Sequence, residues 1–210
     1  MEGMSVLKYL IAIPAMEMCP VPFAYSLATL RKIGATRISV ISGAAVHEAR
    51  NELAKEAVES GADRVLWLDS DMAFGEDLME RLAADLDDGW DMVCGIYFKR
   101  RLPVEPVIYK GIDAQSGKVD VYADYPRDSV FEIAGCGFGA VMTTTRLLAM
   151  VAEEASVVGP FSPYHGLSED LSFCWRASEV KARIICDSRV KVGHVGQMAF
   201  GEQMYRRVES

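Results

Sequence analysis

Short apolar runs alternate with stretches of helical periodicity over the first hundred residues of the chain. The apolar runs, rich in Leu, Ile and Val, predict buried strands at 6–13, 37–41, 64–68 and 91–97. Between them, apolar residues recur every three or four positions and predict helices at 21–33, 46–60 and 76–86. Because parallel strands need such crossovers, the alternation predicts a mostly parallel central sheet flanked by helices, an α/β fold.

The pattern changes after residue 100. Strand-like pieces with glycine-rich turns fill 104–125, and 131–144 predicts two short strands, so a smaller antiparallel β excursion is expected. Helices at 146–154 and 168–180 and a strand at 183–187 follow. The loop between these helices contains two prolines and two glycines, and we interpret it as a flexible lid. The length and pattern predict one domain over residues 1–210.

Composition narrows the class of protein. Half of the 210 residues are hydrophobic, which suits a globular domain with a sizeable core. A net charge of −8 without a basic stripe argues against a nucleic-acid partner. No apolar run approaches the roughly 18 residues of a membrane span. Five scattered cysteines and the lack of a signal-peptide pattern predict a cytoplasmic protein.

Two acidic residues, Asp69 and Asp71, follow the third predicted strand where its apolar run stops. In such sheets ligands bind beyond the carboxyl ends of the strands. Residues two apart in extended backbone point the same way, so both carboxylates are expected to face one point. Close carboxylates repel each other unless a cation or a shared proton neutralises them, and Mg²⁺ or Mn²⁺ suits oxygen ligands. The same residues also fit a polar turn in which Asp71 caps the next helix.

Four motifs resemble those of the GT-A glycosyltransferases, above all the family 2-like enzymes. They read HEARNELAKEAVESGADRVLWLDSDMAF, GFGAVMTTTRLL, LSEDLSFCWRA and VGHVG, and the resemblance runs from about Ile11 to Gly196. It implies the GT-A fold, with about 5–100 as the nucleotide-binding half and about 101–200 as the sugar and acceptor half. It also implies metal-dependent transfer of a sugar from a nucleoside diphosphate sugar to a hydroxyl acceptor, a saccharide or small molecule.

The resemblance assigns a metal site and a donor site. Asp69 and Asp71 inherit contacts with Mn²⁺ or Mg²⁺, and His194 in the last motif is a further metal ligand. Asp69 and Ser70 are also expected to contact the sugar nucleotide. A lone histidine between glycines equally fits an ordinary surface residue, so His194 keeps both interpretations.

Four further residues are expected at the nucleotide. Arg50 and Asn51 resemble an Arg-Asn pair that faces the nucleotide in the family, and Arg50 and Lys99 can neutralise phosphate. The turn that begins at Pro14 is expected to contact the nucleobase through its backbone, because no acidic residue follows the second strand. Arg50 also fits an ordinary solvated helix charge.

Glu169 and Asp170 resemble the catalytic Glu-Asp motif at the start of a helix. Asp170 is expected to remove the proton of the acceptor hydroxyl if the reaction inverts, with Glu169 in support. The alternative is a helix start with Ser168 as N-cap and acids in the first turn, which the helix dipole favours by itself.

Other classes of protein share parts of this pattern. A haloacid-dehalogenase-type phosphatase also places Asp-x-Asp after a strand, but Met72 and Ala73 follow here in place of its usual Thr or Val. A nucleotidyltransferase needs a glycine-rich basic loop after the first strand, and IPAMEMCPVP is not one. A non-catalytic sugar-nucleotide-binding protein is the third alternative, which turnover of a donor would separate from an enzyme. The sequence does not define the oligomeric state.

Overall fold

The computed structural model describes residues 6–155 and 158–196. The strands in these residues are β1 (Lys8–Ala15), β2 (Ala35–Ser42), β3 (Arg64–Leu68), β4 (Met72–Ala73), β5 (Met92–Ile96), β6 (Ile108–Asp113), β7 (Lys118–Val121), β8 (Val130–Glu132), β9 (Gly135–Cys136), β10 (Ala140–Thr144), β11 (Ile184–Lys191) and β12 (Gly193–His194). The helices are α1 (Val21–Thr29), α2 (Val46–Glu59), α3 (Leu78–Asp87), α4 (Thr145–Ala155) and α5 (Glu169–Glu179).

Seven strands form the central sheet in the order β2-β1-β3-β10-β5-β11-β8. Strands β1, β2, β3, β5 and β11 run in one direction, whereas β10 and β8 run against their neighbours. Smaller antiparallel sheets join β7, β6 and β9, and β12 with β4. The mixed but mostly parallel sheet with its antiparallel excursion confirms the predicted fold class.

Both faces of the sheet are buried at the inner strands β1, β3, β10 and β5, which explains why these strands read as continuous apolar runs. Leu10 and Ala12 of β1 pack in one hydrophobic cluster with α2, α4 and α5, and Ile11 and Ile13 pack in another with α1 and α3. Trp67 of β3 lies fully inside the first cluster, and its indole N–H donates to the Thr143 hydroxyl at 3.0 Å. The core therefore fixes the register of β3, the strand that leads into the acidic pair.

Some predicted boundaries are wrong. Helix α1 ends at Thr29, not at residue 33, because Leu30 is extended and the chain then turns at Gly34 with φ +58°. A side chain at Gly34 would clash with the Leu7 carbonyl oxygen, so the turn requires glycine there. The stretch 131–144 holds parts of three strands instead of two, because β8 pairs with β11, β9 with β6 and β10 with β3.

The topology gathers one edge of the sheet around the end of β3. Ala15 and Ser42 are paired at the carboxyl ends of β1 and β2. The Met16 N–H donates to the Ser70 hydroxyl at 3.4 Å, which joins the loop after β1 to the loop after β3. The short β12 pairs with β4 and sets His194 opposite Met72. Residues from distant parts of the sequence thus meet beside Asp71.

None of the helices within residues 6–155 and 158–196 combines the length and apolarity needed to cross a bilayer. The cytoplasmic location stays a prediction.

Candidate active site

The Asp-Ser-Asp segment after β3 forms a tight turn, and the expectation of extended backbone there is wrong. The Met72 N–H donates to the Asp69 carbonyl oxygen at 3.2 Å and closes this turn. The two carboxylates therefore reach different partners. Asp69 contacts Arg50, whereas Asp71 contacts Arg100 and His194.

A buried arginine of α2 joins the turn to the start of α5. Arg50 is 2% exposed, and its two terminal nitrogens donate to Asp69 Oδ1 at 2.6 Å and to Glu169 Oε1 at 2.7 Å. The guanidinium lies 5.3 Å from the centre of the Phe138 ring. Burial alone would lower the pKa of Arg50, but the carboxylates of Asp69 and Glu169 outweigh it and raise that pKa. The charge of Arg50 is thus permanent and is matched to two acids of the protein.

Asp71 and His194 form a second pair. The Val195 N–H donates to the Asp71 carbonyl oxygen at 2.8 Å, and His194 Nε2 lies 3.4 Å from Asp71 Oδ2. His194 Nδ1 lies 3.0 Å from the Phe98 carbonyl oxygen, so we assign the Nδ1 proton to that hydrogen bond. Nε2 then faces Asp71: it donates to that carboxylate when the ring is protonated, and it offers a lone pair to a metal when the ring is neutral.

Asp71 and His194 shift each other's pKa in opposite directions. The hydrogen bond that the protonated ring donates to Asp71 is the main cause that raises the pKa of His194. Burial would raise the pKa of Asp71, but the hydrogen bond with His194 and the charges of His194 and Arg100 lower it. Asp71 is therefore held as a carboxylate beside positive groups.

One oxygen of Asp71 has no partner. Oδ1 is buried and makes no hydrogen bond within the described residues. A buried carboxylate oxygen without a partner is costly, so it points to a missing ligand. The carboxylate of Asp71 suits Mn²⁺ or Mg²⁺, and the imidazole of His194 suits Mn²⁺ better than Mg²⁺. Within residues 6–155 and 158–196 no three His, Cys, Asp or Glu side chains come together as a metal site, and Asp71 and His194 are two adjacent candidates.

A cavity of about 400 Å³ opens at this edge of the sheet. That volume lies within the usual range of small-molecule sites. Its apolar part lies between the end of β1 and the start of α2, and its polar part lies at the turn after β3. The wall consists of Pro14, Ala15, Met16, Ala44, Val46, Ala49, Arg50, Asp69, Ser70, Asp71, Arg100 and Glu169.

The architecture matches solved structures of other proteins. A197 from STIV superposes with a TM-score of 0.65 at 21% identity, over 91% of this chain and 86% of that one. GalNAc-T7, a GT-A glycosyltransferase crystallised with UDP, GalNAc and Mn²⁺, superposes with a TM-score of 0.61 at 9% identity. The chain has the GT-A fold.

These likenesses define the fold and no more, because both identities are low. The superposition covers 92% of this chain but 44% of GalNAc-T7, so the chain spans less than half of that protein. No protein-family profile and no curated protein sequence matches the chain. The closer resemblance to family 2 stays a prediction.

The GT-A fold brings most of the predicted site residues to one cavity but gives two of them other partners. Lys99 Nζ pairs with Glu105 at 2.8 Å. The Asn51 amide accepts from the Phe161 N–H at 2.8 Å and donates to the Ser162 hydroxyl at 3.3 Å. Lys99 and Asn51 do not line the cavity and their polar atoms have these other partners, so we assign neither to the nucleotide. His194 and Asp170 lie outside the lining as well, but each is next to a residue of it, Asp71 and Glu169 respectively.

Sequence reasoning missed Arg100, which lines the cavity where Lys99 was expected. Its terminal nitrogen lies 2.6 Å from Asp71 Oδ2. The run Lys99-Arg100-Arg101 after β5 indicates basic side chains near the ligand edge of a GT-A sheet. The run does not show which of the three side chains points into the cavity, because residues after the end of β5 no longer alternate between the two faces of a strand.

The loop before α5 is tied to the GT-A core. Arg176 donates to the carbonyl oxygens of Pro160 and Ser162 at 3.0 and 2.8 Å, and the Asn51 amide binds the same loop. Tyr164 stacks on Trp175 with ring centres 4.3 Å apart. These contacts favour a fixed loop over the flexible lid that the composition predicted.

The two acids at the start of α5 differ in their surroundings. Glu169 lines the cavity, and its burial, aided by the charge of Asp170, raises its pKa despite the ion pair with Arg50. Asp170 accepts hydrogen bonds from the Ser168 hydroxyl and from the Leu171 N–H at 2.8 Å. Both contacts belong to the start of the helix, so they fit the capping alternative as well as a base held in place.

The Arg50 bridge generates a prediction on stability. Arg50→Met keeps the length of the side chain but leaves Asp69 and Glu169 without their cation, so the free energy of unfolding should fall by about 2–4 kcal/mol. Urea unfolding followed by circular dichroism measures this. The matched control is Arg37→Met, because Arg37 pairs with Glu56 at 2.7 Å on the exposed surface and should cost at most about 1 kcal/mol. Equal losses in the two variants would contradict the role of Arg50.

Proposed function

We propose that this protein is a metal-dependent glycosyltransferase that moves a sugar from a nucleoside diphosphate sugar to a hydroxyl acceptor. The observation that carries the proposal is the unpartnered Asp71 Oδ1 beside His194, at the polar end of a cavity in a GT-A fold. The UDP, GalNAc and Mn²⁺ bound by GalNAc-T7, which shares the fold, support it. The phosphatase alternative is disfavoured, because Asp69, which would be the nucleophile of that reaction, is paired with Arg50.

The shape of the cavity suits the two ends of a nucleotide. The nucleobase lies between Met16 and Val46, where the wall is apolar, and its polar edge bonds the backbone of the turn at Pro14. Asp69 keeps 31% of its side chain exposed, so the oxygen that Arg50 does not bind can accept from a ribose hydroxyl. Ser70 lies next to this position. Among the described residues, no acidic side chain lines the apolar end, so in this proposal the base is held by apolar packing and backbone contacts.

Charge explains why the donor needs a metal. The cavity wall holds the carboxylates of Asp69, Asp71 and Glu169 against the two guanidinium groups of Arg50 and Arg100. A diphosphate adds further negative charge to a wall that already has an excess of acids, so it requires an additional cation. Asp71 and His194 would hold Mn²⁺ or Mg²⁺, which supplies Lewis-acid stabilisation of the diphosphate leaving group. Arg50 offsets part of the negative charge of Asp69 and Glu169 beside it.

The start of α5 provides the acceptor chemistry. In an inverting reaction Asp170 takes the proton of the acceptor hydroxyl, and Glu169 orients the acceptor from the cavity wall. In a retaining reaction Asp170 positions the acceptor instead. The chain then divides within one domain into a nucleotide-binding half, about 5–100, and a sugar and acceptor half, about 101–200.

Metal-dependent donor binding is tested by thermal shift. We expect one nucleoside diphosphate of a panel to raise the melting temperature with Mn²⁺ by about 5–10 °C at a hundredfold excess over its Kd, and not with EDTA. Asp71→Asn should lose the metal-dependent increase and keep the fold. Asp77→Asn, a half-exposed acid before α3, is the matched control and should keep the increase. An unchanged metal-dependent shift in Asp71→Asn would contradict the proposal.

Asp170→Asn separates a catalytic base from a helix cap. As a base, Asp170 supports turnover by about 10²–10⁴-fold, so the variant should lose that factor while donor binding in the thermal shift persists. Ser168→Ala is the control, because it removes the hydroxyl that donates to Asp170 at the helix start but leaves the carboxylate, and it should keep most turnover. If Asp170→Asn turned over donor as fast as the wild type and lost only stability, the capping alternative would hold.

A further inference from the structure

We propose that Arg100 is a built-in cation of the site: it neutralises Asp71 when no metal is bound and transfers to the diphosphate when metal and nucleotide bind together. The inference rests on the proposed function, since it assigns a regulator to the same metal position. Arg100 Nη1 lies 2.6 Å from Asp71 Oδ2, the oxygen that also lies 3.4 Å from His194 Nε2. One carboxylate oxygen thus serves both groups.

The two partners of this ion pair differ in burial. The Asp71 side chain is 10% exposed, so water cannot solvate its charge when its cation leaves. The Arg100 side chain is 47% exposed, so water can solvate its guanidinium when it leaves Asp71. The acid is therefore fixed, and the arginine is the member that can exchange.

A second contact holds Arg100 in reach of both positions. Its Nη1 also donates to the Val195 carbonyl oxygen at 3.1 Å, and its aliphatic carbons pack close to Gly196. The Val195 N–H in turn bonds the Asp71 carbonyl oxygen. Arg100 is thus anchored beside the turn after β3 while its guanidinium lines the cavity.

A divalent cation and the guanidinium compete for Asp71. A metal held between Asp71 and His194 Nε2 brings its positive charge next to Oδ2, where the Arg100 guanidinium lies. Like charges repel, so a metal that binds alone must drive Arg100 away from its anion, and this weakens the binding of the metal. When a diphosphate accompanies the metal, the displaced guanidinium gains phosphate oxygens, which it binds in its preferred two-point geometry. Metal and diphosphate should therefore bind cooperatively, and the coupling must be reciprocal.

Isothermal titration calorimetry with two probes measures this coupling. The probes are Mn²⁺ alone, and inorganic pyrophosphate at saturating Mn²⁺, which requires no knowledge of the nucleobase. The variants are Arg100→Gln, Arg101→Gln and Asp71→Asn. Arg101→Gln removes the same charge one residue away and is the matched control, because Arg101 does not line the cavity. Circular dichroism checks that each variant is folded.

We expect Arg100→Gln to bind Mn²⁺ alone about two- to fivefold more tightly than the wild type, the range for loss of a partly exposed ion pair. The same variant should bind pyrophosphate with Mn²⁺ several-fold more weakly, whereas Arg101→Gln should match the wild type in both titrations. If the wild type and Arg100→Gln bind Mn²⁺ equally and Asp71→Asn does not bind it, the role of Arg100 is overturned and the metal site stands. If neither the wild type nor Arg100→Gln binds Mn²⁺, the metal site and this inference are both overturned.

Discussion

Carboxylates crowd at the end of β3 and at the start of α5, and the site depends on the cations that neutralise them. Asp69, Asp71 and Glu169 line one cavity, where their repulsion would be costly without positive partners. The fold supplies those partners from three elements distant in sequence: Arg50 of α2, Arg100 after β5 and His194 of β12. The GT-A sheet brings the ends of these elements to one edge.

The two arginines have different tasks because they differ in burial. Arg50, 2% exposed and paired on both sides, is part of the core and keeps Asp69 and α5 in place. Arg100, half exposed and paired with one oxygen of Asp71, is suited to exchange with another cation. In the proposed function, a permanent ion pair for structure and an exchangeable one for binding would let an acidic chain accept an anionic donor.

Local patterns of apolar and polar residues in the sequence were sufficient to predict much of the fold. The strand at Arg64–Leu68 and its abrupt end at Asp69 follow directly from an apolar run bounded by polar residues. The geometry of the site was less predictable, since it depends on pairings over long sequence separations. Arg50 meets Glu169 across 119 residues, and His194 reaches Asp71 only because β12 pairs with β4. The turn at Asp69–Met72 and the choice of Arg100 over Lys99 also follow from tertiary contacts.

The central claim is that the acidic edge beside β3 takes a divalent cation together with a diphosphate. Anomalous diffraction from crystals grown with Mn²⁺ and a nucleoside diphosphate tests it most directly. The account predicts a manganese peak in contact with Asp71, His194 Nε2 and the diphosphate, with the Arg100 guanidinium moved from Asp71 to a phosphate oxygen. A bound nucleotide with no manganese peak at Asp71, and with Arg100 still on its carboxylate, would contradict it.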